Sequence, residues 1–223
     1  MALTKVIGAG LGTVTEDQVF GGATPTVTIG DAGAEDAKIV FDGNAQDYHI
    51  GLDDSADTLV IGKGSALGTT TSMSFDANGI VTKPLQPMFN ASEASTRQNM
   101  GINSTIPMNF DQITDVNGDY ADDPGTFTAP VTGKYLLTVT LVMLAVDKDY
   151  TSIEVMIATS NRNYTNSIDP RVFGADANYW SMTTTCVADM DTNDTAIVNF
   201  ISAGGAEQLD ISAQSHYSGI LVG

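Results

Sequence analysis

The longest regular pattern in the chain runs through Gly125-Thr126-Phe127-Thr128-Ala129-Pro130-Val131-Thr132-Gly133 into Lys134 to Leu144. Tyr135, Leu137, Val139, Leu141 and Met143 alternate there with Leu136, Thr138, Thr140 and Val142. A period of two in aromatic and β-branched residues predicts a pleated strand. Apolar residues on both faces of its second half predict that it lies between two packed surfaces. Strand-like runs surround it at the spacing of an all-β domain: Ile106 to Ile113, Gly125 to Thr128, Lys134 to Val146, Ser152 to Thr159, Tyr179 to Val187, Thr195 to Ile201 and Leu209 to Leu221. Turn residues mark Val116 to Asp119, Asp147 to Asp149, Asp189 to Asp194 and Ser202 to Gly205. The pattern predicts a jelly-roll of two packed sheets over residues 106–223.

Upstream the pattern is different. Four short β-like units, Lys38 to Gly43, Tyr48 to Asp53, Thr58 to Gly62 and Ser72 to Asp76, each close in Asp or Gly. They predict an acidic β shaft over residues 31–88. So small a piece has too little apolar material for a core of its own, and identical units from several chains would pool it. Residues 1–30, punctuated by Gly8, Gly10, Gly12, Gly21 and Gly22, read as an anchor that orders on a partner. Pro84 and Pro87 stop the last shaft strand, and the polar residues 89–105 predict a linker with one or two helical turns capped by Ser92 or Ser95.

Composition narrows the class. With 27 acidic and 9 basic residues the formal charge is −18, which repels phosphate backbones and argues against a nucleic-acid partner. Cys186 is the one cysteine, so no intrachain disulfide forms, and its apolar–threonine setting reads as a small buried hydrophobe. The start MALTKVIGAGLGTV is a poor signal peptide, and no run reaches the roughly 18 apolar residues of a membrane helix. The expectation is a protein made in the cytoplasm, without membrane insertion. The sequons at Asn90, Asn103, Asn163 and Asn193 then carry no meaning.

Two resemblances add to this reading. Phe110-Asp111, Tyr120 and Gly125 to Tyr135 resemble the opening of the complement C1q globular head, in the tumour-necrosis-factor-like jelly-roll superfamily. Asp189 to Val198 resembles that family's turn into its penultimate strand region, and Ser215 to Leu221 its closing aromatic–serine–glycine strand. Asn193 stands where the family has glycine, a substitution Asn tolerates because it visits left-handed geometry. The resemblance implies a non-enzymatic homotrimer with apolar faces about a three-fold axis and loops that bind partners. Tyr135, Leu137, Val139 and Leu141 would then point into the sandwich, while Val142 and Leu144 approach the axis. Separately, residues 34–84, including AEDAKIVFDGNAQDYHIGLDDSADTLVIGKGS and FDANGIVTKP, resemble fibre and structural proteins of marine tailed bacteriophages. That implies a virion component.

Candidate chemistry is sparse. His216 beside Ser215 and Ser218 lacks an orienting acid and an oxyanion site, and His49 alternates within an apolar strand as a structural residue. No catalytic residue and no cofactor is expected. A structural calcium stays open at Asp115 to Asp119 and Asp189 to Asn193, although both lack the glycine and glutamate of the helix–loop–helix site, and the cluster Asp53 to Asp57 reads as a solvated turn. The region Tyr150 to Trp180 is the recognition candidate. Arg162, Tyr164, Arg171, Tyr179 and Trp180 there offer aromatic faces and guanidinium donors suited to a carbohydrate or protein surface.

These readings predict an all-β homotrimer with a C1q/TNF-like jelly-roll head on a short-strand β shaft. It would be a bacteriophage fibre or spike, joined to other virion proteins through its N-terminus and attaching to a host-surface glycan or protein. A capsid head fibre or decoration protein on the phage shell is the alternative, and a secreted adhesin or lectin is disfavoured.

Overall fold

The computed structural model describes residues 17–223. Most of the expected N-terminal anchor, residues 1–16, lies outside the described residues, and residues 17–36 carry no strand. The chain then folds as β sheets throughout, with one short 3-10 turn.

The first sheet is an antiparallel meander of β1 (Ala37–Phe41), β2 (Tyr48–Asp53), β3 (Thr58–Lys63), β4 (Thr71–Phe75) and β5 (Val81–Thr82). Four of these strands coincide with the four units read from the sequence. The register puts Ile39, Ile50, Ile61 and Met73 in one row, with Phe41 and Tyr48 on one side of it and Leu52, Leu59 and Phe75 on the other. One face is therefore apolar apart from Lys63, which pairs with Tyr48 at its edge. The opposite face carries His49, Gly51, Val60 and Gly62. His49 is 1% exposed, and its Nδ1 lies 2.8 Å from the Gly64 carbonyl, so it is a structural histidine. Its ring rests on Gly62, where an added Cβ would come within 2.6 Å of it.

The head is a sandwich of two larger sheets. One joins β8 (Ser104–Met108), β10 (Tyr120–Ala121), β11 (Thr126–Thr128), β13 (Tyr150–Thr159), β14 (Asn163–Ile168) and β16 (Thr195–Gly204). The other joins β6 (Met88–Ser92), β7 (Arg97–Met100), β9 (Asp111–Asp115), β12 (Gly133–Val146), β15 (Ala177–Met190), β17 (Leu209–Ile211) and β18 (His216–Leu221). β12 is its centre: β15 pairs along its whole length on one edge, and β17 and β18 share the other. As the alternation predicts, Tyr135, Leu137, Val139, Leu141 and Met143 are fully buried between the sheets. Asn193 takes φ 73° in its turn, the left-handed geometry expected there, and its amide donates to the Ala129 carbonyl at 2.8 Å.

The linker expectation is corrected. Residues 88–108 contain no helical turn but three strands, and β6 pairs β18 on one edge and β9 on the other. Ser92 is thus a strand residue, and Ser95 lies in the bend between β6 and β7. The physical reason is Phe89, which is 1% exposed and stacks on Tyr120 at 4.9 Å and Phe127 at 4.8 Å, with Tyr217 edge-on at 4.9 Å. Gly219 opposite Phe89 makes the room, since a Cβ there would run into the Phe89 ring and lie 2.7 Å from Leu137 Cδ2. The single run Ile106 to Ile113 also divides, into β8 and β9 on different sheets. The head therefore begins at Met88. Phe89→Ala should lower its stability by about 3–5 kcal/mol in urea unfolding, the cost of emptying a core aromatic site. A loss within the ~0.5 kcal/mol typical of surface positions would return residue 89 to a linker.

Candidate functional site

The outer face of the β12 sheet is built by the half of each strand that does not enter the core. Its register forms rows across four strands. At one end Val187, Leu136, Ile220 and Met88 stand side by side from β15 through β12 and β18 to β6. Three of them are well exposed, Val187 at 58%, Met88 at 40% and Leu136 at 37%. The next rows are hydroxyl-rich: Thr185, Thr138, Ser218 and Asn90, then Thr183, Thr140, His216 and Ser92. Hydroxyls of Thr140 and Thr183 lie 2.9 Å apart, and Thr185 donates to Thr138 at 3.3 Å. Met88, Asn90, Thr114, Leu136, Thr138 and Ile220 line a cleft of about 450 Å³ beside the apolar row. Val142 and Leu144 are half-buried on this same face, as the alternation predicts.

The chain enters the head at this end. Leu221 donates its amide to the Pro87 carbonyl at 3.0 Å, and Gln86 Nε2 donates to the Leu221 carbonyl at 2.6 Å, so the segment before β6 is laid along the head.

A second surface lies at the opposite end, where β15 begins. Asp169 caps the 3-10 turn Pro170–Phe173, accepting the Arg171 amide at 3.1 Å. Arg171 Nε and Nη2 also donate to the Asp169 carboxylate, at 2.8 and 2.6 Å. These side-chain bonds hold the Asp169 carboxyl below its usual range and raise the guanidinium. Phe173 packs against Trp180 with ring centroids 4.6 Å apart. Val172 is 76% and Tyr179 73% exposed, which leaves an open aromatic and apolar patch. The neighbouring loops are pinned by Asp147, which accepts the amides of Ala206 at 2.6 Å, Asp149 at 2.8 Å and Glu207 at 3.1 Å. Those amide bonds, Ala206 first, hold its carboxyl below the ordinary aspartate range.

The five recognition candidates do not form one site. Arg171, Tyr179 and Trp180 gather at the 3-10 turn. Arg162 sits in the β13–β14 turn, whose Asn161 Nδ2 donates to the Asp189 carbonyl at 2.9 Å. Asp189 and Tyr179 lie near opposite ends of β15, about 33 Å apart at the rise of a strand. Tyr164, on β14, packs half-buried against the core. Val172 and Phe173 belong to the patch and were not singled out by the sequence. The signal for them was local: Asp169-Pro170 opening a turn that Gly174 closes at φ 75°.

Little else offers chemistry. Ser215 is fully buried and its Oγ accepts the Val142 amide at 2.9 Å, while His216, next along β18, is exposed on the outer face. Burial pushes the Cys186 thiol up to about 11, which keeps it protonated near neutrality. Asp115 spends its carboxylate on its own loop, accepting Gly118 N at 3.1 Å and Tyr120 N at 2.9 Å. Asp189 pairs with Lys134 at 2.6 Å, and Asp53 accepts the Ser55 hydroxyl at 2.7 Å. Among the described residues no three His, Cys, Asp or Glu side chains are grouped to hold a metal ion.

Comparison with known proteins follows this geometry. A family model described as C1q domain matches residues 89–222. Among curated proteins there is no match. Similar solved structures include the globular domain of zebrafish complement 1qA protein, at 14% identity and TM-score 0.42, covering 62% of this chain and 98% of that one. Murine APRIL is another, at 11% identity and TM-score 0.44, covering 61% and 99%. C1q and TNF-like domains are generally non-enzymatic binding or structural modules, typically homotrimeric. With its all-β jelly-roll sandwich and the match over residues 89–222, the chain belongs to the C1q domain family.

Proposed function

We propose that this chain is a homotrimeric bacteriophage fibre or spike protein whose C1q head attaches the virion to the host surface. The observation that carries this reading is the polarity of the head. The apolar row Val187–Leu136–Ile220–Met88 and the incoming chain share one end. The open patch of Val172, Phe173, Tyr179 and Trp180 occupies the other, about 26 Å away along β15. A stalk-side assembly surface and a distal recognition surface are what a spike needs. Trimerisation is supported by the family's habit and by the apolar and hydroxyl rows, which across β15, β12, β18 and β6 hold no acidic residue in a strongly acidic chain. The virion setting rests on the resemblance of residues 34–84 to tailed-phage fibre proteins. In this reading residues 37–82 form the shaft, and the N-terminal region joins other virion proteins.

Tyr179 is the aromatic anchor of recognition, with Trp180 held behind it by Phe173. The ligand class is a glycan or protein of the host surface, because an exposed tyrosine offers both a ring face and a hydroxyl. Arg171 is already neutralised by Asp169 and is a weak candidate for reading an anionic group.

Two experiments test the reading. Virions carrying the chain truncated before Met88 should lose adsorption by about tenfold or more, with label on the full chain seen at the tail. Label over the shell with adsorption intact would make the protein a capsid decoration. In the purified full chain, Tyr179→Ala should weaken binding to host cells by about 30-fold, the size of an interface anchor, with unfolding unchanged. Unaltered binding would remove the patch from recognition.

A further inference from the structure

The meander β1–β5 has one finished face and one unfinished one. On the finished face Val60 and His49 are buried, and the loop after β3 closes over them through the bonds from His49 to Gly64 and from Lys38 Nζ to the Ser65 carbonyl at 2.7 Å. On the other face Ile39, Phe41, Tyr48, Leu52, Leu59 and Ile61 remain between 37% and 60% exposed. Lys63, at the end of β3, is the only charged side chain the register places among them. In a chain of net charge −18 this is an anomaly, because acidic residues crowd the turns of the same sheet. Ile29 reaches this face at the end formed by Ala37 and Leu52, and it leaves both Leu52 and Ile39 nearly half exposed.

We infer that this face packs against the same face of two sister chains, so that the shaft has a shared apolar core. The inference rests on the trimeric head proposed above and adds a second, separate interface to it. Size selects the occupant. Four strands of five or six residues, spaced as in a sheet, give a face of about 19 by 18 Å, on the order of 350 Å². That is about half the roughly 800 Å² each partner contributes to a stable independent complex. A free protein partner would therefore bind it poorly. Sister chains do not need to bind as free partners. Only residues 83–87 separate β5 from β6, and Pro87 and Gln86 are bonded to the head. A trimeric head thus holds three copies of the sheet at the millimolar effective concentration of a short tether, where a small apolar face suffices. The absence of acidic side chains from the face also lets three acidic chains meet without carboxylate repulsion across the contact.

The test is cross-linking of the full chain carrying Cys186→Ala and Ile61→Cys, with Leu59→Cys as a second variant should the first not fold. A short bis-maleimide should give covalent dimers from these samples, with a yield that stays constant over about 100-fold dilution, as expected inside a preformed assembly. The same samples are weighed by sedimentation. A trimer whose residue-61 and residue-59 thiols react freely with a monofunctional maleimide but do not cross-link overturns the shared core and leaves the head trimer standing. A trimer with thiols that stay silent in the full chain but react freely without cross-linking once the residues before Ala37 are removed overturns it too, and assigns the cover to the chain's own N-terminal segment; silence that persists after that removal is the buried core the inference expects. A monomer overturns the head reading and this inference together.

Discussion

The head depends on the two-sidedness of β12. A strand has a period of two, so one set of side chains on β12 must fill the sandwich while the other faces away from it. Tyr135, Leu137, Val139, Leu141 and Met143 fill it without any exposure. A slip of one residue against β15 would exchange this set for Leu136, Thr138, Thr140 and Val142, and so replace core by threonine. That penalty fixes the register of β15 and β18, and through β18 it fixes β6, whose Phe89 completes the aromatic cluster. The rows on the outer face are a by-product of the same register. The surface proposed for assembly is therefore set by the core beneath it.

The acidic balance bears on the same surface. Repulsion between chains of charge −18 is screened within about 8 Å at physiological salt, so what matters is what stands at the contact itself. The outer-face rows hold apolar residues, hydroxyls, an amide and one histidine, while Asp189 stands next to the end of β15 and Asp210 beside Leu144 at the other end of the sheet. The N-terminal sheet repeats this division on a smaller scale. Charge keeps the chain soluble where it is exposed, and it is withheld from the faces that lack a cover.

Much of this was legible in the sequence because it is local. The alternation on β12 named its buried set, the turn residues bounded most strands, and the four N-terminal units came out as strands in place. Asn193 was legible as a left-handed turn residue for the same reason. What escaped notice depends on pairing between distant segments. Asn90-Ala91-Ser92 is polar in two of three positions and looks like a linker, yet it pairs with Ser218, Tyr217 and His216 at the far end of the chain. Its inward partner Phe89 was a single aromatic with no local pattern around it. Arg162 and Trp180 are close in sequence, but β14 and the 3-10 turn run between them and carry them to opposite ends of the head. The row Val187–Leu136–Ile220–Met88 exists only once four strands are in register.

The central claim is that the apolar-row end of this outer face is covered when the protein is assembled. Met88 reports on it directly, being 40% exposed on the single chain while Met108 and Met143 are fully buried. Peroxide oxidation of the native full chain, read methionine by methionine from its peptides, measures whether that exposure persists. If the face is an assembly surface, Met88 oxidises as slowly as Met108 and Met143, and Leu136→Asp speeds it alone toward the rate of free methionine. Rapid oxidation of Met88 in the unaltered protein would contradict the account.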